Sequence, residues 1–217
     1  MFNAETARRQ MVEQQVRAWD VLDQRVLDAI SDVPREAFVP EPWRGLAFAD
    51  IEIPLGHGEV MMAPKVEGRL LQSLELCAAD TVLEVGTGSG FLAACLHRLA
   101  GAVTSIDIRA EFTQRAARCL RENGAGAVQL DTRDAFGLDG SRRFDAIAVT
   151  GSLPVYDERF QEALETGGRL FVIVGTSPVM EALRIRRAGE AEWTRESLFE
   201  TSIPPLVNAP RPAAFVF

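Results

Sequence analysis

The chain has 217 residues, with 31 acidic against 23 basic side chains and a formal net charge of −8. That length suits one domain with a full core. The acidic balance argues against broad nucleic-acid binding, which wants a basic face, and no apolar run approaches the length of a membrane span. Residues 1–10 carry no apolar h-region, so no secretory signal is expected. Cys77, Cys95 and Cys119 form no C-x-x-C pair and are read as reduced thiols of a cytoplasmic protein. Besides these, only His57 and His97 could serve as soft ligands, and without a Cys/His cluster no metal site is expected.

Val12, Val16, Trp19, Leu22, Val26, Leu27 and Ile30 recur at helical spacing. They predict one or two helices over 5–31, broken near Asp20, which is placed to cap the second. Pro34 ends the pattern, because proline disfavours helix in the residue before it. Residues 34–63 hold Pro34, Pro40, Pro42 and Pro54 with Gly45, Gly56 and Gly58. An irregular segment of that length, with at most short strands, suggests a lid or binding loop. Pro64 suits the first position of a helix that continues through Val66, Leu70, Leu71 and Leu74. Then the pattern alternates: strand 81–85, helix 90–99, strand 102–106, helix 110–123, strand 127–131, strand 144–149, helix 156–164, strand 169–174. Such alternation predicts an α/β fold, a mostly parallel doubly wound sheet with helices on both faces. Beyond Met180, residues 182–186 and 213–217 alternate as edge or antiparallel strands. The proline-rich stretch 204–212 reads as an ordered surface crossing. Residues 1–64 are taken as a helical cap and lid, and 65–217 as the sheet core of the same domain.

The densest signal is Thr81-Val82-Leu83-Glu84-Val85-Gly86-Thr87-Gly88-Ser89-Gly90, an apolar strand that runs into a glycine-rich turn and then a helix. Glycine at 86, 88 and 90 lets a ligand approach the backbone. The helix start offers free N–H groups to an anion. The next strand ends in Asp107, where a carboxylate is placed to hydrogen-bond a ribose. Dinucleotide folds use G-x-G-x-x-G, which would need glycine where Phe91 stands. The spacing present, E-x-G-x-G-x-G, resembles motif I of the S-adenosylmethionine (SAM) methyltransferases.

Two further stretches narrow the resemblance. Val33-Pro34-Arg35-Glu36-Ala37-Phe38-Val39-Pro40 is similar to the "VPRE-FVP" signature of the protein-L-isoaspartate O-methyltransferases, and Ile53-Pro54-Leu55-Gly56-His57-Gly58 to their "LPIGHGQ". Downstream, Phe144-Asp145-Ala146-Ile147-Ala148-Val149 and the run from Gly167 to Gly175 resemble the family's "YDAI-V" and "PGGRL-PVG". The resemblance spans roughly residues 20–176. It implies a seven-stranded sheet with one antiparallel strand near the end, SAM as cofactor, and methyl transfer to the carboxylate of an isoaspartyl residue in a damaged protein or peptide. It assigns the cofactor to Glu84, Gly86, Thr87, Gly88, Ser89, Gly90, Asp107, Ile108, Asp134 and Ala135. Around Asp134 the family's "GDG" is altered, since Arg133 and Ala135 replace both glycines. Adenine and cytosine amino methyltransferases carry an Asp/Asn-Pro-Pro-aromatic motif after the fourth strand, where this chain reads Thr150-Gly151-Ser152-Leu153-Pro154.

One departure bears on the chemistry. The family follows "GHGQ" with "TISxP", whose Ser hydroxyl lies beside the transfer centre. Here the segment is Glu59-Val60-Met61-Met62-Ala63-Pro64, so Val60 and Met62 stand where Thr and Ser are expected. Neither side chain donates a hydrogen bond. Three readings follow. Another donor takes over, from among His57, Lys65, Thr150 and Ser152. The acceptor has changed, to suit a more apolar pocket. Or the protein binds SAM without transferring its methyl group. The methionines also fit plain packing beneath the lid.

Overall fold

The computed structural model describes residues 3–212. The strand expected at 213–217 lies outside them. Helix α1 (Ala4–Met11) is capped by Asn3, whose side chain accepts from the Thr6 N–H at 3.2 Å. It continues through a π turn (Val12–Val16) and a 3-10 turn (Arg17–Trp19). The break near Asp20 is present, but Asp20 does not cap the second helix. It adopts a left-handed conformation (φ 59°) that closes the first one. An N-cap needs extended backbone, and Asp23 has it, accepting from the Arg25 N–H at 2.9 Å at the start of α2 (Gln24–Asp32).

After Pro34 the irregular segment is more structured than expected. It holds a one-turn helix α3 (Arg35–Phe38), a 3-10 turn (Glu41–Leu46) and an antiparallel hairpin of β1 (Ile53–Gly56) with β2 (Glu59–Met61). His57 and Gly58 turn the hairpin, both at positive φ. Pro64 then opens α4 (Pro64–Ser73). Gln72 of α4 ties down the earlier corner: its side-chain oxygen accepts from Leu22 and Asp23 N–H groups (2.6 and 2.9 Å), and its amide donates to the Asp20 carbonyl (2.7 Å).

The core alternation follows as β3 (Thr81–Val85), α5 (Phe91–Leu99), β4 (Ala102–Asp107), α6 (Ala110–Glu122), β5 (Gln129–Thr132), β6 (Phe144–Leu153), α7 (Arg159–Glu162), β7 (Leu164–Thr176), β8 (Val179–Arg187) and β9 (Trp193–Thr201). The sheet order is β5-β4-β3-β6-β7-β8-β9. Pairs from β5 to β7 are parallel, and β8 runs antiparallel to both its neighbours. Thus the expected seven-stranded doubly wound sheet is present with one antiparallel strand. Strand β9 was not foreseen. It is an edge strand carrying Arg195, Glu196 and Glu200, mostly exposed, so it lacks the apolar alternation that marks a half-buried strand. The helix expected over 156–164 shrinks to one turn because β7 begins at Leu164.

Successive side chains point to opposite faces of the sheet. Val82, Ala146, Ala148, Phe171 and Ile173 join one apolar cluster with α2, α4, α5 and α6. Leu83, Val85, Ile147, Val149, Leu170 and Val172 join another with Phe160 of α7 and the turn around Phe136. After β9 the chain returns across the strand tips. The Ser152 N–H donates to the Pro204 carbonyl (3.0 Å), the Leu206 N–H to the Ser152 carbonyl (2.9 Å), and the Ser152 hydroxyl to the Ile203 carbonyl (3.0 Å).

Candidate active site

Parallel strands place their ligands beyond their carboxyl ends, where the strand order reverses. In this sheet that point lies between β3 and β6, and the glycine turn stands there. Gly86 (φ +100°) has no room for a side chain, since a Cβ would lie 2.2 Å from Thr150 Oγ1. Gly90 backs onto α6, where a Cβ would approach Ala116 Cβ at 2.9 Å. Asp107, 9% exposed, ties the turn to the neighbouring strand tip. One carboxylate oxygen accepts from the Gly88 N–H (3.0 Å) and the other from the Arg109 N–H (2.9 Å). A carboxylate has about four acceptor sites, so lone pairs remain for ribose hydroxyls.

Two connected hollows open here. A cleft of about 660 Å³ runs from Gly86 and Gly88 past Asp107, Ile108 and Phe112 to Asp134 and Ala135. A smaller pocket of about 290 Å³ lies inward between Met62, Leu92, Glu84 and Ser89. Leu55, Val60, Gly86, Gly88 and Thr150 line both. Of the residues named from sequence, Glu84, Thr87 and Ser89 face the inner pocket, while Asp107, Ile108, Asp134 and Ala135 face the cleft. Gly90 faces neither, and its lack of a side chain serves the packing of α5 on α6.

Glu84 has no exposure to solvent. One of its oxygens accepts from the Ser105 hydroxyl, which is also 2.7 Å from the Thr87 hydroxyl. The other has no hydrogen-bond partner. Burial pushes the Glu84 carboxyl up to about 8, against the pull of Ser105, with Asp107 and Glu67 adding to the rise. A buried, half-satisfied carboxyl beside a pocket fits an ammonium group, which would supply both charge and donor. The α-ammonium of SAM is such a group. The residues lining the two hollows therefore fit this cofactor.

The acceptor side is built differently. Met62 is buried at the inner pocket, and its carbonyl accepts from Arg35 Nη2 at 2.7 Å. Arg35 has no solvent exposure. It also donates to the Ala47 carbonyl (2.9 Å), pairs with Glu67 and lies 4.7 Å from the centre of the Phe91 ring. Burial raises the Glu67 carboxyl to about 7 against the pull of Arg35. Sequence reasoning quoted Arg35 within a signature but assigned it no role. Its partner lies 32 residues away, and no local spacing marks the pair.

The spare donors are differently placed. The Thr150 hydroxyl lines both hollows but sits 2.9 Å from the carbonyls of Val85 and Gly86. Ser152 is committed to Ile203, and Lys65 to Asp50 at 2.7 Å with Trp19 beneath it. His57 lines an outer groove with Glu59, Arg109 and the returning tail, and it pairs with Glu111. Ser89 Oγ accepts from the Phe91 N–H (3.2 Å), leaving its hydroxyl proton for the inner pocket. Leu206 and Val207, which sequence reasoning also missed, close one wall of the cleft. Among the described residues no group of His, Cys, Asp and Glu could hold a metal ion, and no helix is long and apolar enough to cross a membrane.

The family model for protein-L-isoaspartate(D-aspartate) O-methyltransferase matches residues 6–210. A protein-L-isoaspartate O-methyltransferase of Rhodopseudomonas palustris is 39% identical over 201 residues, covering 92% of this chain and 92% of the relative. Another from Anaeromyxobacter is 43% identical over 167 residues, covering 76% and 69%. Among solved structures, a Plasmodium falciparum chain of the same description, in complex with S-adenosyl-L-homocysteine, superposes with a TM-score of 0.81 at 16% identity. That match covers 95% of this chain and 99% of the other.

Proposed function

Because the chain belongs to the protein-L-isoaspartate(D-aspartate) O-methyltransferase family, we propose that it methylates the carboxylate of isoaspartyl residues in damaged protein, with SAM as donor. When bound, SAM would supply a methyl group from its sulfonium sulfur to the acceptor oxygen and would leave as S-adenosylhomocysteine. A carboxylate is already ionised at neutral pH, so the task of the protein is alignment more than proton transfer.

The residues divide that task. Glu84 receives the ammonium, and Ser89 with the start of α5 faces the ligand carboxylate. Asp107 takes the ribose hydroxyls, Ile108 and Ala135 flank the adenine, and Asp134 accepts from its amino group. Arg35 and Glu67 hold the backbone of Met62 against the transfer centre. His57 stands at the rim, where the acceptor chain enters. The three free thiols accord with a cytoplasmic location.

The observation that carries this reading is the buried, unpartnered oxygen of Glu84, a residue lining the inner pocket, beside a cleft lined by Asp107 and Asp134. A radiolabelled methyl-transfer assay on an isoaspartyl peptide beside its aspartyl twin tests it. Transfer confined to the isoaspartyl peptide is expected. A second reading rests on Val60 and Met62. With no hydroxyl at either position, the Val60 and Met62 wall of the inner pocket is apolar and would suit a different acceptor. Tight S-adenosylhomocysteine binding with no transfer to either peptide would favour that reading over the first.

A further inference from the structure

The tail that follows β9 does more than cross the surface. Residues 203–206 are bonded to Ser152 at the tip of β6, as described above, and Leu206 lies directly over Gly151, where a Cβ would come within 2.7 Å of Leu206 Cδ2. Pro204, Leu206 and Val207 wall the cofactor cleft on one side and the outer groove on the other. Beyond them Asn208 takes a left-handed conformation (φ +66°), and its side-chain amide donates to Asp134 Oδ2 at 2.8 Å. The other Asp134 oxygen accepts from the Phe136 N–H at 2.8 Å. Asp134 is therefore held from two sides, by its own turn and by a strap that arrives 74 residues later in the chain. Each contact uses one lone pair per oxygen and leaves another directed elsewhere.

We propose that Asn208 is a positioning residue. Its amide fixes the Asp134 carboxylate in the orientation that reads the amino group of adenine, and so makes the strap part of nucleobase selection. This rests on the reading of Asp134 as the adenine contact. An amide that donates to the carboxylate keeps it acceptor-only and stops it rotating. A fixed acceptor favours an amino group on the base and repels a carbonyl oxygen at the same place.

The test compares S-adenosylhomocysteine with S-inosylhomocysteine, in which a carbonyl replaces the amino group, by calorimetry. Four proteins are titrated: wild type, Asn208→Gly, Asn208→Asp and Asp134→Ala. Glycine and aspartate both tolerate positive φ, so the turn is kept while the donor is lost. The wild type should prefer the adenosyl ligand. Asn208→Gly should reduce that preference roughly 3- to 10-fold, a part of what a hydrogen bond to a charged group contributes, because the contact acts through Asp134. Asn208→Asp should reduce it at least as much, and Asp134→Ala should erase it. An unchanged preference in both Asn208 variants, with loss in Asp134→Ala, overturns the proposal and leaves the adenine contact standing. Equal weakening of both ligands in the Asn208 variants makes Asn208 a tether of the strap only, and also overturns it. An unchanged preference in Asp134→Ala removes the adenine reading and the proposal together.

Discussion

The two halves of the site are held by opposite means. On the cofactor side, the Gly86–Gly90 turn, Asp107 and Thr150 are joined through backbone groups within the sheet itself. On the acceptor side, the Met62 segment lies outside the sheet, and its backbone is held by the buried Arg35, which pairs with Glu67. The difference teaches that backbone geometry and reacting chemistry are separable here. Arg35 grips the carbonyl of Met62, not its side chain, so position 62 keeps its place whichever residue stands there.

The strongest way to break this contrast is Arg35→Ala. Removing one member of a buried pair strands the other, at a cost of ~3–5 kcal/mol of stability. Urea denaturation should show that loss, with the variant's remaining folded population still competent for S-adenosylhomocysteine. Loss of cofactor affinity in proportion would show that the halves are not separate.

The contrast sharpens if chemistry is restored without moving the backbone. Val60→Thr combined with Met62→Ser should raise single-turnover isoaspartyl methylation at saturating SAM by up to ~10²–10³, taking one well-placed donor at a reacting centre as the guide. The buried methionine leaves a cavity, so a stability loss of ~2–5 kcal/mol accompanies the gain and must be measured beside it. A high wild-type rate that the double variant does not raise would show that another group, Ser89 among them, already supplies the donor.

On the cofactor side, Asp107→Ala should weaken S-adenosylhomocysteine by ~1.5–3 kcal/mol, the range of hydrogen bonds to a charged group. The acceptor KM should be little altered. Unchanged affinity by calorimetry would remove Asp107 from the ribose and leave it as the tie between Gly88 and Arg109.

The smallest effect is graded with pH. Burial pushes the Glu84 carboxyl up to about 8, and only its ionised form would hold an ammonium. Affinity for S-adenosylhomocysteine should therefore fall as pH drops below about 8, by at most about tenfold per unit. The fold is linked with the opposite sense. A carboxyl raised above its ordinary value favours the native state below the unfolded pKa and loses that contribution as pH rises through about 8. The ligand should thus protect most against heat at the alkaline end. Glu84→Gln should flatten the pH dependence of binding, and a slope that persists in that variant would assign it elsewhere.

What could be read from the sequence follows the same division. The glycine turn was legible because its positive-φ positions favour glycine at that spacing, and Asp107 was placed beside it because the next strand ends there. The parallel sheet was legible because buried strands alternate with helices. Strand β9 was not, since its exposed edge carries charge where a pattern would carry apolar residues. Asp20 and Asp23 both suit a helix cap by composition, and only the backbone conformation separates them. Arg35–Glu67 and Asn208–Asp134 join distant parts of the chain, and periodicity carries no information about such pairs.

The strap also bears on how the protein is made. Residues 203–208 follow β3 to β9 in the chain, yet they complete the wall of a cleft laid out by β3, β4 and β6. The strap therefore leaves the ribosome last, directly behind β9, and the cleft is whole only once the sheet is complete. A ligand that binds only the finished cleft stabilises finished chains alone. Truncation before residue 203 removes one wall of the cleft, so it should reduce the thermal protection that S-adenosylhomocysteine gives.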